Sequence, residues 1–109
     1  MIELIKKEIK EHINTSQIEI IDESASHAGH PGNNGGGHYK ALIISDDFIG
    51  KSLVERHQMV YKALGRLMTN EIHAFSMKTI TENEFTFKYE NAYYINNIKF
   101  HVIRNTWNN

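Results

Sequence analysis

The sequence contains no cysteine, a single proline and no long apolar run. Without cysteine the chain can form no disulfide and can supply no thiolate, either as a nucleophile or as a metal ligand. No apolar stretch approaches the roughly 18 residues that indicate a membrane-spanning helix. The charged, amphipathic amino terminus lacks the apolar core of a signal peptide. These absences predict a soluble, cytoplasmic protein with no membrane contact.

An excess of charge of one sign is also missing, since 12 basic residues face 13 acidic ones. A dedicated duplex-binding protein typically carries a clear basic excess, so the composition mildly disfavours nucleic acid as a partner. The length of 109 residues is typical of one domain. What the chain does have in unusual number is histidine, with seven residues.

The first half of the chain is predicted to form a helix and two strands. Polar and apolar residues alternate from Gln17 to about Asp22, as in a half-buried strand. His38 to Ser45 is apolar on both faces, which is typical of a central strand. An amphipathic helix precedes these strands, because apolar residues recur there every three or four positions: Ile2, Ile5, Ile9 and Ile13.

The second half is predicted to add a long helix, a third strand and a short helix. The long helix runs from Lys51 to near Asn70, and the strand covers 72–79. Residues 81–84 have the form of a capping box that opens another helix. The order through residue 84 is therefore αββαβα. Beyond it, two alternating segments could form a hairpin after, or instead of, the last helix. The apolar face of the long helix is predicted to contain Leu53, Val60, Leu64 and Leu67.

A loop over residues 24–37 holds five of the seven glycines and the only proline. Loops longer than about 12 residues are uncommon in compact domains and often functional. His27 and His30 lie in this loop, and His38 closes it. Imidazole is a common ligand for zinc, copper and iron, but a polar loop also simply tolerates histidine. No four-ligand set with metal-site spacing is present, so both interpretations stay open.

Two further patterns carry alternative interpretations. His73 lies within the third strand, where alternation predicts that it shares a face with Phe75 and Met77. A lone histidine on such a face is more often a structural residue than a ligand. Gly50 and the next two residues resemble the end of a phosphate-binding loop. The pattern requires a glycine where Ser45 stands, however, so a helix start is the better interpretation.

Together these segments resemble the BolA family over about residues 1–84. The resemblance lies in eight fragments that occur in the family's order with compatible spacing. They are Asp22-Glu23-Ser24, His27-x-Gly29-His30, His38-Tyr39-Lys40, Ile43-Ile44-Ser45-Asp46, Phe48-x-Gly50-Lys51, Leu53-Val54-x-Arg56-His57, Val60-Tyr61-x-x-Leu64, and Ile72-His73-Ala74-Phe75 with Thr81.

The resemblance implies a KH-like (class II) α+β domain, αββαβα, with a three-stranded sheet and helices packed on one side. The domain would cover 1–88, followed by an extension over 89–109 of uncertain structure. Family members pair with monothiol glutaredoxins and share a [2Fe–2S] cluster that also uses glutathione. This implies a non-enzymatic adaptor in iron–sulfur trafficking, with no catalytic residue. The family's ligand positions fall on His27 and His73, with His30 or His38 as alternative loop ligands.

The alternative function is that of a DNA-binding regulator, because bacterial family members are also described as stress-linked transcriptional regulators of cell morphology. The candidate contacts are basic residues on or near the long helix: Lys51, Arg56, Lys62 and Arg66. Gln58 stands where the family usually has arginine, and Glu55 lies among these residues, so this alternative is weakened. The sequence leaves open which loop histidine is a ligand, whether a cluster is delivered or sensed, and whether the lone chain is a monomer or a weak homodimer. No cofactor is expected in the isolated chain.

Overall fold

A computed structural model describes residues 1–27 and 37–87 of the chain. His30 and the predicted carboxyl-terminal hairpin from residue 88 onward lie outside these ranges, and the start of its first segment, Phe85, belongs to a helix instead. Within them, no helix is long and apolar enough to cross a membrane. The elements in chain order are α1 (Ile2–His12), β1 (Gln17–Asp22), α2 (Ser24–His27), β2 (Gly37–Ile44), a 3₁₀ turn (Asp46–Phe48), α3 (Leu53–Leu64), α4 (Arg66–Asn70), β3 (Ile72–Ile80) and α5 (Glu82–Phe85).

The three strands form one sheet in the order β1-β2-β3. β1 pairs antiparallel with β2, and Gln17 opposes Ile44 at one end of the pair while Asp22 opposes Tyr39 at the other. β2 pairs parallel with β3. The prediction of a central strand is confirmed, because β2 has a neighbour on each edge and buries residues on both faces.

The main core lies between one face of the sheet and the helices α1 and α3. Apolar residues recur every three or four positions in the helices, so each helix turns one apolar side to the sheet. In the strands they recur at every second position, so these side chains point from the sheet toward the helices. Phe48 of the 3₁₀ turn fills the space between them and is fully buried. The core residues are Ile5, Ile9, Ile13, Ile18, Tyr39, Ala41, Ile43, Phe48, Val60, Ala63, Leu64, Ile72 and Phe75. The predicted α+β class is confirmed.

A second, smaller cluster contains the alternate residues of β2. Leu42 and Ile44 are buried with Phe85 of α5, and Ile80 packs against them. Successive side chains of a strand point to opposite faces, so this cluster lies on the sheet face opposite α1 and α3. The short helix that the capping box of Thr81 opens therefore adds a small cover to the second face.

The long helix differs from its prediction in two places. Gly65 adopts φ +52°, in the left-handed region, and separates α3 from α4. Glycine reaches this conformation without the Cβ penalty of other residues, which is why a helix commonly ends there. The prediction that Leu53 lies on the buried face is wrong, since it is the first residue of α3 after the cap Ser52 and is 63% exposed. Val60 and Leu64 are buried as predicted.

Candidate functional site: a histidine pair at one end of the sheet

Two of the seven histidines lie side by side where β2 and β3 begin. His38 is the second residue of β2 and His73 is the second residue of β3. Because these strands are parallel, their amino-terminal ends meet at the same end of the sheet. The centroids of the two imidazole rings are 4.9 Å apart, with their planes tilted by 38°. We call these two residues the histidine pair.

An irregularity in the sheet sets the direction of His73. Gly37 pairs with Ile72, but His38 pairs with Ala74, so β3 has one extra residue at this point. Such a bulge breaks the two-residue alternation and can re-aim a side chain. Ile72 and Phe75, three positions apart, are therefore both buried, whereas His73 between them is exposed. The predicted placement of His73 on the face of Phe75 is thus wrong, and the sequence contained no signal for the bulge.

The backbone of His38 is held on two sides. The Glu23 amide donates a hydrogen bond to the His38 carbonyl at 2.7 Å, and the His38 amide donates one to the Ser24 hydroxyl at 3.1 Å. The Ser24 amide in turn donates to the Asp22 carboxylate at 2.8 Å. Hydrogen bonds from the Ser24 hydroxyl and then from its amide lower the pKa of Asp22. The start of α2, which ends at His27, is consequently fixed to the start of β2.

Tyr39 and Gly37 pack tightly beside the pair. The Gly37 amide donates to the Glu71 carbonyl at 2.9 Å, and a Cβ atom at Gly37 would overlap the Tyr39 ring. Tyr39 is buried, and burial together with the negative charge of Asp22 raises the pKa of its hydroxyl. Tyr39 therefore stays neutral at physiological pH and belongs to the main core, on the sheet face opposite to that of its neighbour His38. A larger residue at position 37, immediately before the pair, would require the Tyr39 ring to shift.

Of the histidines predicted as ligands, only two are seen side by side at this end of the sheet. His38 and His73 are brought together, and His27 ends a short helix beside β2, with its side chain outside the described part. Among residues 1–27 and 37–87, no three histidine, aspartate or glutamate side chains converge to hold a metal. Two imidazoles without any thiolate fit an iron–sulfur cluster only if a partner supplies the remaining ligands, since such clusters need four.

The predicted basic contacts differ in how they are used. Arg56 donates to the carbonyls of Lys51 and Thr79, both at 3.0 Å, and forms a 2.7 Å ion pair with Glu84. Its side chain is only 13% exposed, and it lies over the Phe48 ring. Arg56 therefore links α3 to the end of β3 and the start of α5. The exposed members of the predicted set are Lys51, Lys62 and Arg66.

Known proteins share this sequence pattern and this architecture. The profile of the BolA-like protein family matches residues 9–84. A Buchnera aphidicola protein of uncharacterised function is 37% identical over 84 residues, which cover 77% of this chain and 79% of that one. The DNA-binding transcriptional regulator BolA of Escherichia coli is 29% identical over 83 residues, covering 76% and 77%. The BolA domain of SufE1 from Arabidopsis thaliana has a TM-score of 0.67 at 33% identity, covering 75% and 92%.

The fold is thus that of the small α+β domains known as BolA domains. The chain belongs to the BolA family. Its relatives are named as a transcriptional regulator and as a domain of a larger protein, and the names do not describe a BolA enzyme.

Proposed function

We propose that this protein is a cytoplasmic, non-enzymatic adaptor that pairs with a monothiol glutaredoxin and lends imidazole ligands to a [2Fe–2S] cluster shared with it and with glutathione. Its role would lie in iron–sulfur trafficking or iron homeostasis. The observation that carries the proposal is the histidine pair, two imidazoles 4.9 Å apart at the end of the sheet where His27 also lies.

The chemistry of the donor set supports a shared cluster. This chain has no cysteine, so the partner and glutathione would supply the thiolates. Imidazole in place of thiolate on one iron raises the reduction potential of such a cluster, as in Rieske centres. An exposed His73 can approach a docked partner without rearrangement of the core. The second imidazole would come from His27, His30 or His38.

The test is anaerobic co-purification with a monothiol glutaredoxin, read by visible absorption and circular dichroism. We expect a cluster spectrum that differs from that of the glutaredoxin homodimer and reverts to it with His73→Ala. His12→Ala is the matched control, because His12 is exposed on α1 and lies 2.9 Å from its own helix's Glu8 carbonyl. Absence of a complex, or an unchanged spectrum with His73→Ala, would contradict the proposal.

A DNA-binding regulator is the second candidate function, favoured by the name of the Escherichia coli relative. The exposed side chains of Lys51, Lys62 and Arg66 are its candidate phosphate contacts. If all three contact phosphates, their joint replacement by alanine should reduce the slope of log K against log salt by about 3. Replacing three lysines of α1, Lys6, Lys7 and Lys10, changes the net charge equally and is the control. An equal change of slope in both variants would indicate only non-specific attraction.

A further inference from the structure

We infer that the apolar and acidic surface around the start of α3 is the docking site for the chain's own carboxyl-terminal segment, residues 88–109. This surface lies at the end of the sheet where β2 and β3 finish, opposite the histidine pair. The inference is therefore independent of the glutaredoxin proposal. It rests on an exposed apolar patch, an acidic cleft beside that patch, the charge of the segment and the place where the segment begins.

Three large aliphatic side chains at the start of α3 are exposed. Ile49, just before the helix, is 63% exposed, and Leu53 and Val54, its first two residues, are 63% and 64% exposed. We call these three residues the apolar patch. The other exposed large apolar residues of the described part are spread over α1, β1, the middle of α3 and the residues after α5. Scattered residues of this kind need no explanation, whereas a group of them is typical of a binding surface.

An open cleft of about 510 Å³ adjoins the apolar patch at Ile49. Its walls come from the 3₁₀ turn, α3 and the start of α5. The Asp46 carboxylate accepts a hydrogen bond from the Glu82 amide at 3.1 Å, and Arg56 forms its ion pair with Glu84. These contacts hold the walls together, so the fold itself forms the cleft. We call it the acidic cleft, and its lining includes Asp46, Ile49, Arg56, Thr81, Glu82 and Glu84.

The cleft and the patch carry an excess of negative charge. Residues 46–56 and 81–84 contain five acidic and two basic residues, a net charge of −3. All five acidic residues are exposed, and Arg56 is already paired with one of them. Backbone amides at the caps of α3 and α5 lower the pKa of Glu55 and Glu84, so these carboxylates stay ionised at physiological pH. Such a surface repels the phosphates of nucleic acid and attracts a basic segment.

The segment 88–109 has the opposite charge. It contains three basic residues and one acidic residue, a net charge of +2. Opposite charges bring two surfaces together, and the burial of apolar side chains then supplies affinity. The segment also has nine large aliphatic or aromatic residues that could cover the apolar patch: Tyr89, Tyr93, Tyr94, Ile95, Ile98, Phe100, Val102, Ile103 and Trp107.

The segment begins beside the acidic cleft. Asn83, Glu84, Thr86 and Phe87 line another open cleft, and the first two of these residues also line the acidic cleft. Ten residues of extended chain span roughly 33 Å, so the segment is long enough to cross the acidic cleft and reach the apolar patch. Because the segment and the surface belong to one chain, their effective concentration is high and weak contacts suffice.

The absence of cysteine permits a direct test in the full chain. Asn97→Cys introduces a single thiol near the middle of the segment, and a nitroxide attached there broadens the amide resonances of nearby residues. We expect broadening of residues 49–54 and none of residues 72–74, at the other end of β3. The reduced nitroxide gives the reference spectrum. No broadening of residues 49–54, or stronger broadening of residues 72–74, would overturn the inference.

Substitutions in the apolar patch separate docking from mere proximity. Leu53→Ser combined with Val54→Ser should reduce the paramagnetic relaxation of residues 49–51 at least about fivefold, because the segment loses two apolar partners. Leu4→Ser is the control, since this apolar side chain is exposed on α1. All three side chains are exposed, so the fold should tolerate their loss. An equal reduction in the control, or none in the patch variant, would contradict docking.

The contribution of charge is tested in the same way. Glu82→Lys reverses a charge at the acidic cleft and should weaken the broadening of residues 49–51 by roughly twofold to fivefold. Glu11→Lys is the control, because it makes the same change of charge at an exposed position of α1. Added salt should weaken the broadening in the unaltered cleft, since it screens exposed charges. Broadening that responds equally to both substitutions would contradict recognition by the acidic cleft.

A mixing experiment tests whether the segment docks on its own chain. Isotope-labelled chain without the nitroxide is mixed with spin-labelled chain at natural isotope abundance. We expect no broadening of residues 49–54 in this mixture. Broadening there would mean that the segment docks on a second copy, which would overturn the inference. None of these measurements involves glutaredoxin or iron, so their failure and that of the shared-cluster proposal are distinguishable.

Discussion

The two ends of the central strand β2 use polar residues in opposite ways. At the end where β2 finishes, polar side chains are engaged in hydrogen bonds that connect α1, α3, β3 and α5. At the end where it begins, the bulge turns His73 outward and places it beside His38. The end where β2 finishes, which we call the far end, therefore connects the elements of the fold, whereas the histidine end presents two neighbouring imidazole rings. The difference shows that the role of a polar residue in this chain depends on the end of the sheet at which it lies.

The far end is connected by a short series of hydrogen bonds. The hydroxyl of Ser45, fully buried, donates to the Asn14 carbonyl at 2.6 Å and accepts from the Asp47 amide at 3.0 Å. Asp47 accepts from the Asn14 amide at 2.8 Å, and Asp46 accepts from the Glu82 amide at 3.1 Å. The 3₁₀ turn thus joins the end of α1 to the start of α5, and Ser45 serves this turn rather than a phosphate.

The largest expected effect is at the far end, where Phe48 is fully buried in the core. Phe48→Ala should lower the free energy of unfolding by about 3–5 kcal/mol, because it removes buried apolar surface and leaves a cavity. Chemical denaturation followed by circular dichroism measures the change. Phe87→Ala is the matched control, since that ring is 78% exposed and its loss should cost less than about 0.5 kcal/mol. Similar losses in both variants would contradict the described packing.

Arg56→Ala should have the next largest effect and lower the free energy of unfolding by about 1.5–3 kcal/mol. It leaves the carbonyls of Lys51 and Thr79 without their donor, and hydrogen bonds that involve a charged group contribute about this much. The ion pair with Glu84 adds little, because the Glu84 side chain is 49% exposed. Urea denaturation gives the value, with Lys62→Ala as a control of equal charge. A loss no greater than in the control would mean that Arg56 is available for nucleic acid after all.

Gly37→Ala tests the histidine end. It should lower the free energy of unfolding by roughly 1–2 kcal/mol, in the lower part of the range for overpacking. The new Cβ would overlap the Tyr39 ring, so the ring and the adjoining His38 should shift. Gly50→Ala is the control, since no heavy atom lies within 4 Å of its Cβ and only its φ of +76° is strained. Both should be less stable, but only Gly37→Ala should change the cluster spectrum that is expected with glutaredoxin. A changed spectrum in both variants would remove the distinction between the ends.

The helices and strands could be predicted from the sequence because the patterns that indicate them involve residues only a few positions apart. The alternation from Gln17 predicts a strand with one buried face, and the residues after Thr81 predict a capping box made by hydrogen bonds between near neighbours. Both predictions are confirmed. The bulge at His73 and the role of Arg56 were not predictable, because each depends on residues distant in the chain. His38 remains one of three candidate loop ligands, and its position beside His73 follows from the parallel pairing of β2 and β3, which the sequence pattern did not reveal.

Each end also has a carboxylate that titrates below its ordinary value. The pKa of Glu84 is lowered from 4.5, first by the Thr81 amide and further by Arg56, and that of Asp22 is lowered from 3.8 by Ser24. The unfolded chain takes up these protons first, so their stabilisation is complete above about pH 4.5 and is lost as the pH falls through the folded values.

Glu84→Gln and Asp22→Asn should therefore each flatten the fall of unfolding free energy between about pH 5 and pH 2. Denaturant titrations at several pH values measure the slope, with the exposed Glu11→Gln as the control. Asp22→Asn should in addition loosen the start of α2, which hydrogen exchange at Ser24 would detect. An unchanged slope in both variants would contradict the hydrogen bonds assigned to these carboxylates.

The smallest expected effect on stability is that of His73→Ala, within about 0.5 kcal/mol, because the side chain is exposed and removing it creates no cavity. The same substitution should remove the distinct cluster spectrum that is expected with glutaredoxin. His38→Ala should cost more stability, since His38 is half-buried. Denaturation of both variants beside His12→Ala gives the comparison. If His73→Ala unfolds the protein as readily as Arg56→Ala does, His73 is a structural residue like those of the far end. A stable variant that has lost its ligand would instead show that this imidazole is retained for binding.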